Sequence, residues 1–220
     1  MKKLLISSAM IFTFSFANSL NTNEAELFKT ILKDDLYTYV DGGESVLGKY
    51  ATPINITNAD TIQREYEQNE VFADEKYKNK NIVVNGVVLK VKKDMWNNFV
   101  IDLKGGSNMF INPSAQINKN YKNWLSNVQK DSEVFLVCTK SKAIATTVYL
   151  SNCIPSYIWA RLEADKIMKN LDIIDKNEFN QYKNVVQKVM PHINKNGSCF
   201  KNQSHDNCMN EIKNAFSKLK

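Results

Sequence analysis

The sequence predicts an α+β fold in which five short strands close into a barrel, with a helix ahead of it and a helical region after it. Three observations carry that expectation. Residues 81–154 are rich in β-branched and aromatic runs broken by Gly, Asn and Pro. One helical-period stretch interrupts them after the third run. The segments on either side return to a helical period. Three strands, a helix and two more strands is the order of an OB-fold barrel. Closure matters because five exposed short strands leave open edges.

Met1 to Ser19 reads as a secretory signal peptide. Lys2 and Lys3 form its charged start, and Leu4 to Phe16 its apolar run, which is short against the roughly 20 residues of a membrane span. Ser15-Phe16-Ala17 offers a small-x-small cleavage pattern. The expected location is periplasmic or secreted, with no transmembrane segment after cleavage. Residues 20–60 read as an N-terminal helix and linker. Leu27, Phe28, Ile31, Leu32, Leu36 and Tyr39 give a helical stripe over Leu20 to Val40, which is expected to pack on the core domain. Asn23 with Glu26 is the expected cap, and Gly42-Gly43 the stop. Glu44 to Ala59 reads as a linker or extended segment.

Residues 61–154 form the expected OB domain. A helical stretch over Thr61 to Lys76, in one piece or two and capped by Asn58 or Asp60, has Ile62, Tyr66, Val71, Phe72 and Ala73 as its apolar members. The first strand is Ile82 to Val91, with Gly86 marking a bulge or bend that lets one strand serve both sides of a small barrel. Asn97-Asn98 makes a turn, Phe99 to Leu103 the second strand, and Gly105-Gly106 another turn. Met109-Phe110-Ile111 reads as the third strand, ended by Pro113. A helix follows over Asn118 to Val128, carrying Tyr121, Trp124, Leu125 and Val128. The last strands are Glu133 to Thr139 and Thr147 to Cys153. Residues 155–220 read as helices: Tyr157 to Leu171, ending within Asp172 to Asp175; a stripe of Phe179, Tyr182, Val185, Val186 and Val189; and a stripe of Met209, Ile212, Ala215, Phe216 and Leu219.

The run Asn69 to Lys80, leading into Ile82 to Val88, resembles the opening of the bacterial tRNA_anti-like OB-fold family. That family shows an Asn-x-x-x-Ala-x-x-x-Tyr helix, a Lys-rich turn and a strand with an internal Gly, here Asn69, Ala73, Tyr77 and Gly86. The resemblance covers residues 61 to 154. It implies an OB barrel in an exported or membrane-associated bacterial protein, and it brings no catalytic residues with it. A fold shared by many functions does not supply one.

Net charge is +6, yet the only arginines are Arg64 and Arg161 among 29 basic residues. Arginine is the preferred residue for bidentate phosphate contacts, so the lysines read first as a solvated surface. Four cysteines in an exported chain read as two disulfides. The local pairing expected among the three possible is Cys138–Cys153 and Cys199–Cys208. The rival for the second pair is a metal site with His205 and His192, which falls short of a closed four-ligand zinc set without both histidines. No cofactor or metal is expected. No Gly-x-Ser-x-Gly, phosphate loop or His-Glu-x-x-His occurs, so the expected protein is not an enzyme. The first expectation is a binding module for a protein or envelope component. The alternative is single-stranded nucleic acid or another anionic oligomer on the barrel face. For that face the candidate ligand-binding residues are Lys92, Lys93, Trp96, Lys104 and Phe110, with Trp96 at a turn tip and both Phe99 and Phe110 in short apolar strands that read first as core.

Overall fold

The computed structural model describes residues 20–107, 110–194, 196–200 and 205–218. The expected signal peptide lies outside the described residues. Among the described residues, no helix is long and apolar enough to cross a membrane.

The chain divides into two compact units, residues 31–166 and the remainder. The larger unit holds the barrel. Its central strand is β2, Ile82–Lys93, which is long enough to pair twice. Ile82 to Val87 pair antiparallel with β5 (Glu133–Cys138), and Val88 to Lys93 pair antiparallel with β3 (Phe99–Leu103). The switch of partners falls just after Gly86, and a register shift follows between Val88 and Lys90. From β3 the ladder passes to β4 (Ser114–Ile117), then in parallel to β7 (Thr147–Pro155), and back through β5 to β2. The barrel is therefore closed, with the OB strand order. Ile82, Val84, Val88, Ile101, Leu103, Ala115, Ile117, Leu136 and Leu150 fill it.

Two strands extend the barrel. β1 (Asn55–Asn58) runs parallel to the first half of β2, inside the stretch read as a linker or extended segment. β6 (Lys140–Ile144) forms a hairpin with β7. The disulfide Cys138–Cys153 joins β5 to β7 within the core.

Other elements depart from the expected ones. The expected third strand is displaced: Phe110 and Ile111 lie in irregular chain, Met109 lies outside the described residues, and β4 begins just after Pro113. The reason is local. Gly106 N–H donates to Asp60 and Ser107 donates to Glu67, which ties the loop to a neighbouring helix instead of the sheet. That helix is the first of the two pieces into which the expected helical stretch divides, α2 (Ala59–Gln68) and α3 (Glu70–Tyr77). Asn58 and Asn69 cap them through their side-chain oxygens. Ile62, Tyr66, Ala73 and Tyr77 are buried, whereas Val71 and Phe72 face solvent, against the sequence reading. Gln63 is fully buried, donating to Thr146 O at 2.6 Å and accepting from Val148 N at 3.0 Å, so it fastens α2 to the β6–β7 turn. The expected helix over Asn118 to Val128 shrinks to a 3-10 turn and a four-residue α4, Lys122–Leu125. The second half of α1 (Thr22–Val40) and most of α5 (Ser156–Met168) also belong to this unit. Buried Glu163 of α5 accepts from both the N–H and the hydroxyl of Thr52 at 2.8 Å.

The smaller unit contains the start of α1, α6 (Lys176–Val189) and α7 (His205–Ser217). The α1 cap is Asn21 with Glu24, two residues ahead of the expected pair, each side chain bonded to the other's N–H. Phe28 meets Phe179 and Tyr182 of α6 edge-on, at 5.6 and 6.1 Å between ring centres. Phe28 of the α1 stripe thus packs on α6 within this unit. α5 stops at Met168, ahead of the expected end, and a short 3-10 turn at Leu171–Ile173 follows it. Cys199 and Cys208 are disulfide-bonded, which leaves neither sulfur to ligate a metal. Ile212 and Ala215 are buried while Phe216 is exposed, and Leu219 lies outside the described residues.

Candidate functional site

Strand alternation separates inward from outward side chains on the β2–β3–β4 sheet. Ile101 and Leu103 point inward with Ala115 and Ile117. Lys90 stands opposite Asp102 and Lys92 opposite Val100, and on β4 Ser114 continues the first of these rows and Gln116 the second. The Asp102 carboxylate takes the Lys92 ammonium at 2.5 Å and the Ser114 hydroxyl at 2.7 Å. Lys92 is therefore engaged on the sheet.

The β2–β3 connection is a tight five-residue turn, Asp94 to Asn98. Asp94 Oδ1 accepts from the N–H groups of Trp96 and Asn98 at 2.9 and 2.8 Å, and Oδ2 accepts from the Asn98 amide at 2.9 Å. Asn97 takes a left-handed φ of 66°, a conformation Asn tolerates better than most residues. Desolvation works against the Asp94 charge, but the bonds from Asn98 and Trp96 outweigh it. They hold its carboxyl below the usual carboxylate range.

Beside this turn lies a groove of about 530 Å³. Its floor is the end of the β3–β4–β7 ladder, where Phe99 stands opposite Ile117 and Ile117 beside Cys153. One wall is Asn97 and Asn98; the other is Thr139, Lys140, Ser151 and Asn152; Asn118, Lys119 and Asn120 close the end. Side chains lace the rim together. Asn118 donates to Asn152 at 2.7 Å and accepts from the Asn120 N–H at 3.0 Å, and Asn152 donates to Thr139 at 3.5 Å. Asn152 also takes a left-handed φ, 52°. The Cys138–Cys153 bridge lies directly behind two of these residues, since Thr139 and Asn152 are its neighbours in the chain.

Among the described residues no carboxylate lines this groove, and Lys119 and Lys140 bring positive charge to it. Lys93 adds a third cation at the edge, its ammonium 5.4 Å from the centre of the Phe99 ring. Amide donors and fixed cations together suit anionic or strongly polar groups.

Of the residues singled out from sequence, Lys93 borders the groove and Trp96 sits on the adjoining turn, 74% exposed. Lys104 lines a different cleft, with Asn58, Asn85 and Glu133. Phe110 is 85% exposed in the β3–β4 loop. Sequence reasoning missed Gln116, Asn118, Lys119, Lys140, Ser151 and Asn152. The usable signal was the Asn-x-Asn turn before the short helix, which marks where a strand must end.

A family model described as tRNA_anti-like matches residues 4–154. Among solved structures, a lipoprotein from Klebsiella pneumoniae subsp. pneumoniae, proposed to bind nucleic acid, is similar at 13% identity and a TM-score of 0.38. That similarity covers 46% of this chain and 91% of the other. No curated protein matches the chain.

Proposed function

The chain belongs to the tRNA_anti-like family, and from that premise we propose that it is an exported, non-enzymatic binding module whose barrel groove receives a linear polyanion. Single-stranded nucleic acid and an anionic polymer of the cell envelope share the chemistry required. The observation that carries the reading is the groove itself. It lies on the barrel surface that OB-folds use for oligomers, is walled by amides, holds Lys119 and Lys140, and has no carboxylate among the described residues of its lining. Export is supported by the signal-like start and by two disulfides, which persist in oxidising compartments. The expectation of a protein partner has less support here, because a polar groove of amides lacks the apolar centre of most protein interfaces.

The test is a salt titration of binding to labelled single-stranded oligonucleotides and, in parallel, to inorganic polyphosphate. Affinity should fall steeply with salt. Lys119→Ala with Lys140→Ala should weaken binding and flatten the logarithmic salt slope for oligonucleotides by about 1.4, since each neutralised phosphate contributes about 0.7. Preference for one polymer identifies the source of the ligand. Failure to bind either at low salt, or binding that the double variant leaves unchanged, refutes the reading.

A further inference from the structure

The turn beside the groove carries two side chains that the groove does not use. Met95 is 86% exposed and Trp96 is 74% exposed, side by side. The last ladder pair of the hairpin is Lys93 with Phe99, so both residues project past the end of the sheet. Large apolar side chains at an exposed tip lose favourable burial unless something covers them. We infer that this hairpin tip docks the protein onto an anionic lipid surface, with Met95 and Trp96 entering the interfacial layer and the lysines behind them meeting the headgroups.

Three features of the hairpin fit that occupant. The tip is held in shape: Asp94 accepts three hydrogen bonds from Trp96 and Asn98, its own N–H donates to Asn98 O at 3.0 Å, and Asn97 N–H donates back to Asp94 O at 3.0 Å. Insertion then orders no loop, and the entropic cost of binding is small. The charge is complementary, because Lys90, Lys92 and Lys93 follow one another just behind the tip. Asp102 draws off part of the Lys92 charge, while Lys93 stays exposed over the Phe99 ring. Shape and composition also favour a bilayer over a protein. Protein hot spots lie within a broad packed patch that excludes water. Here the tip lies past the last ladder pair of the hairpin, and its neighbours Lys93, Asp94, Asn97 and Asn98 are polar. Tryptophan at the interface with lysine at headgroup level is the usual membrane-surface arrangement.

The experiment uses the purified, disulfide-bonded chain with vesicles of phosphatidylglycerol and phosphatidylcholine, and with vesicles of phosphatidylcholine alone. Co-sedimentation and a blue shift of tryptophan emission report docking. The full chain should bind the anionic vesicles and bind the neutral ones far more weakly. Lys90→Gln and Lys93→Gln should each lower the partition constant about fivefold. Met95→Ser with Trp96→Ser should lower it at least about tenfold, since a buried aromatic contributes most of the apolar area. The groove variant Lys119→Ala, Lys140→Ala should retain most vesicle binding, and the tip variant should retain oligonucleotide binding. The two readings therefore fail separately. Absence of binding to anionic vesicles at low salt, equal binding to neutral vesicles, or binding that the tip variant leaves intact overturns the proposal.

Discussion

Gly86 is the position where the barrel can be tested most directly. A Cβ placed there lies 2.8 Å from the Cβ of Ala59, and 3.4 Å from that of Leu103. Ala59 opens α2 and is 1% exposed, so the strand bend and the helix start occupy each other's space. Gly86→Ala should destabilise the barrel by about 1–3 kcal/mol, the usual range for overpacking a filled core. Ala59→Gly alone removes one buried methyl and loosens the first helical position, at about 1 kcal/mol. The offending atom is the Ala59 methyl, so combining the two should cost little more than Ala59→Gly by itself. The coupling between the two sites is then about 1–3 kcal/mol, nearly the whole cost of Gly86→Ala and well outside ordinary additivity.

Gly105 supplies the control. A Cβ there meets backbone, with Ala59 O at 2.6 Å, Ala59 C at 2.7 Å and Asp60 Cα at 2.8 Å. No side-chain truncation relieves that contact, so Ala59→Gly should not rescue Gly105→Ala. The assay is urea unfolding of the variants, followed by far-UV and near-UV circular dichroism so that agreement of two probes licenses the fit. Additive effects of Gly86→Ala and Ala59→Gly, or equal rescue of Gly105→Ala, refute the argument that Gly86 exists to admit the helix.

Two further outcomes follow from the same unit. Cys138 and Cys153 close a loop of separation 15, and replacing both with Ala should lower unfolding stability by about 3 kcal/mol. It should also weaken groove binding through Thr139 and Asn152; an unchanged urea midpoint with and without reductant counts against this. Acid should loosen α2 and α3. Arg64 holds the Asp60 carboxyl low, and Lys78 does the same for Asp74. At Glu65 and Glu67 burial opposes the charge, but bonds from Lys76 and Tyr77, and from Ser107 and Gln63, outweigh it. Carboxyls depressed in the folded state contribute stability in full above their unfolded values of about 4, and lose it as pH falls through the folded values. The thermal midpoint should therefore hold from pH 7 to 5 and drop below about pH 4; a midpoint flat to pH 3 contradicts the sign.

The strands that sequence identifies share one physical trait. β2, β3, β5 and the centre of β7 each bring several β-branched or large apolar residues to the core, so their period shows without a partner. β1, β4 and β6 read Asn-Ile-Thr-Asn, Ser-Ala-Gln-Ile and Lys-Ser-Lys-Ala-Ile. Each is a strand because a neighbour already in place offers it a ladder, and nothing in its own composition announces it. Met-Phe-Ile at 109–111 carries the stronger local β propensity, and Asp60 and Glu67 hold the adjoining Gly106 and Ser107 outside the ladder.

That single displacement also explains why the groove was not legible. With β4 placed too early, Phe110 falls on a strand, Gln116 falls between elements and Asn118 to Asn120 fall in a helix, so the candidate face assembles from Lys104 and Phe110. With β4 at Ser114–Ile117, the end of the strand brings Asn118 within 2.7 Å of Asn152, a residue 34 positions later. Lysine and asparagine are too frequent in this chain for any of them to stand out by type. Their meaning comes from register alone: Phe99 opposite Ile117 and Ile117 beside Cys153 decide which amides face one another. A binding site made from common polar residues on short ladder-dependent strands is fixed by tertiary pairing, so in such a barrel the strand register has to be known before the surface can be read.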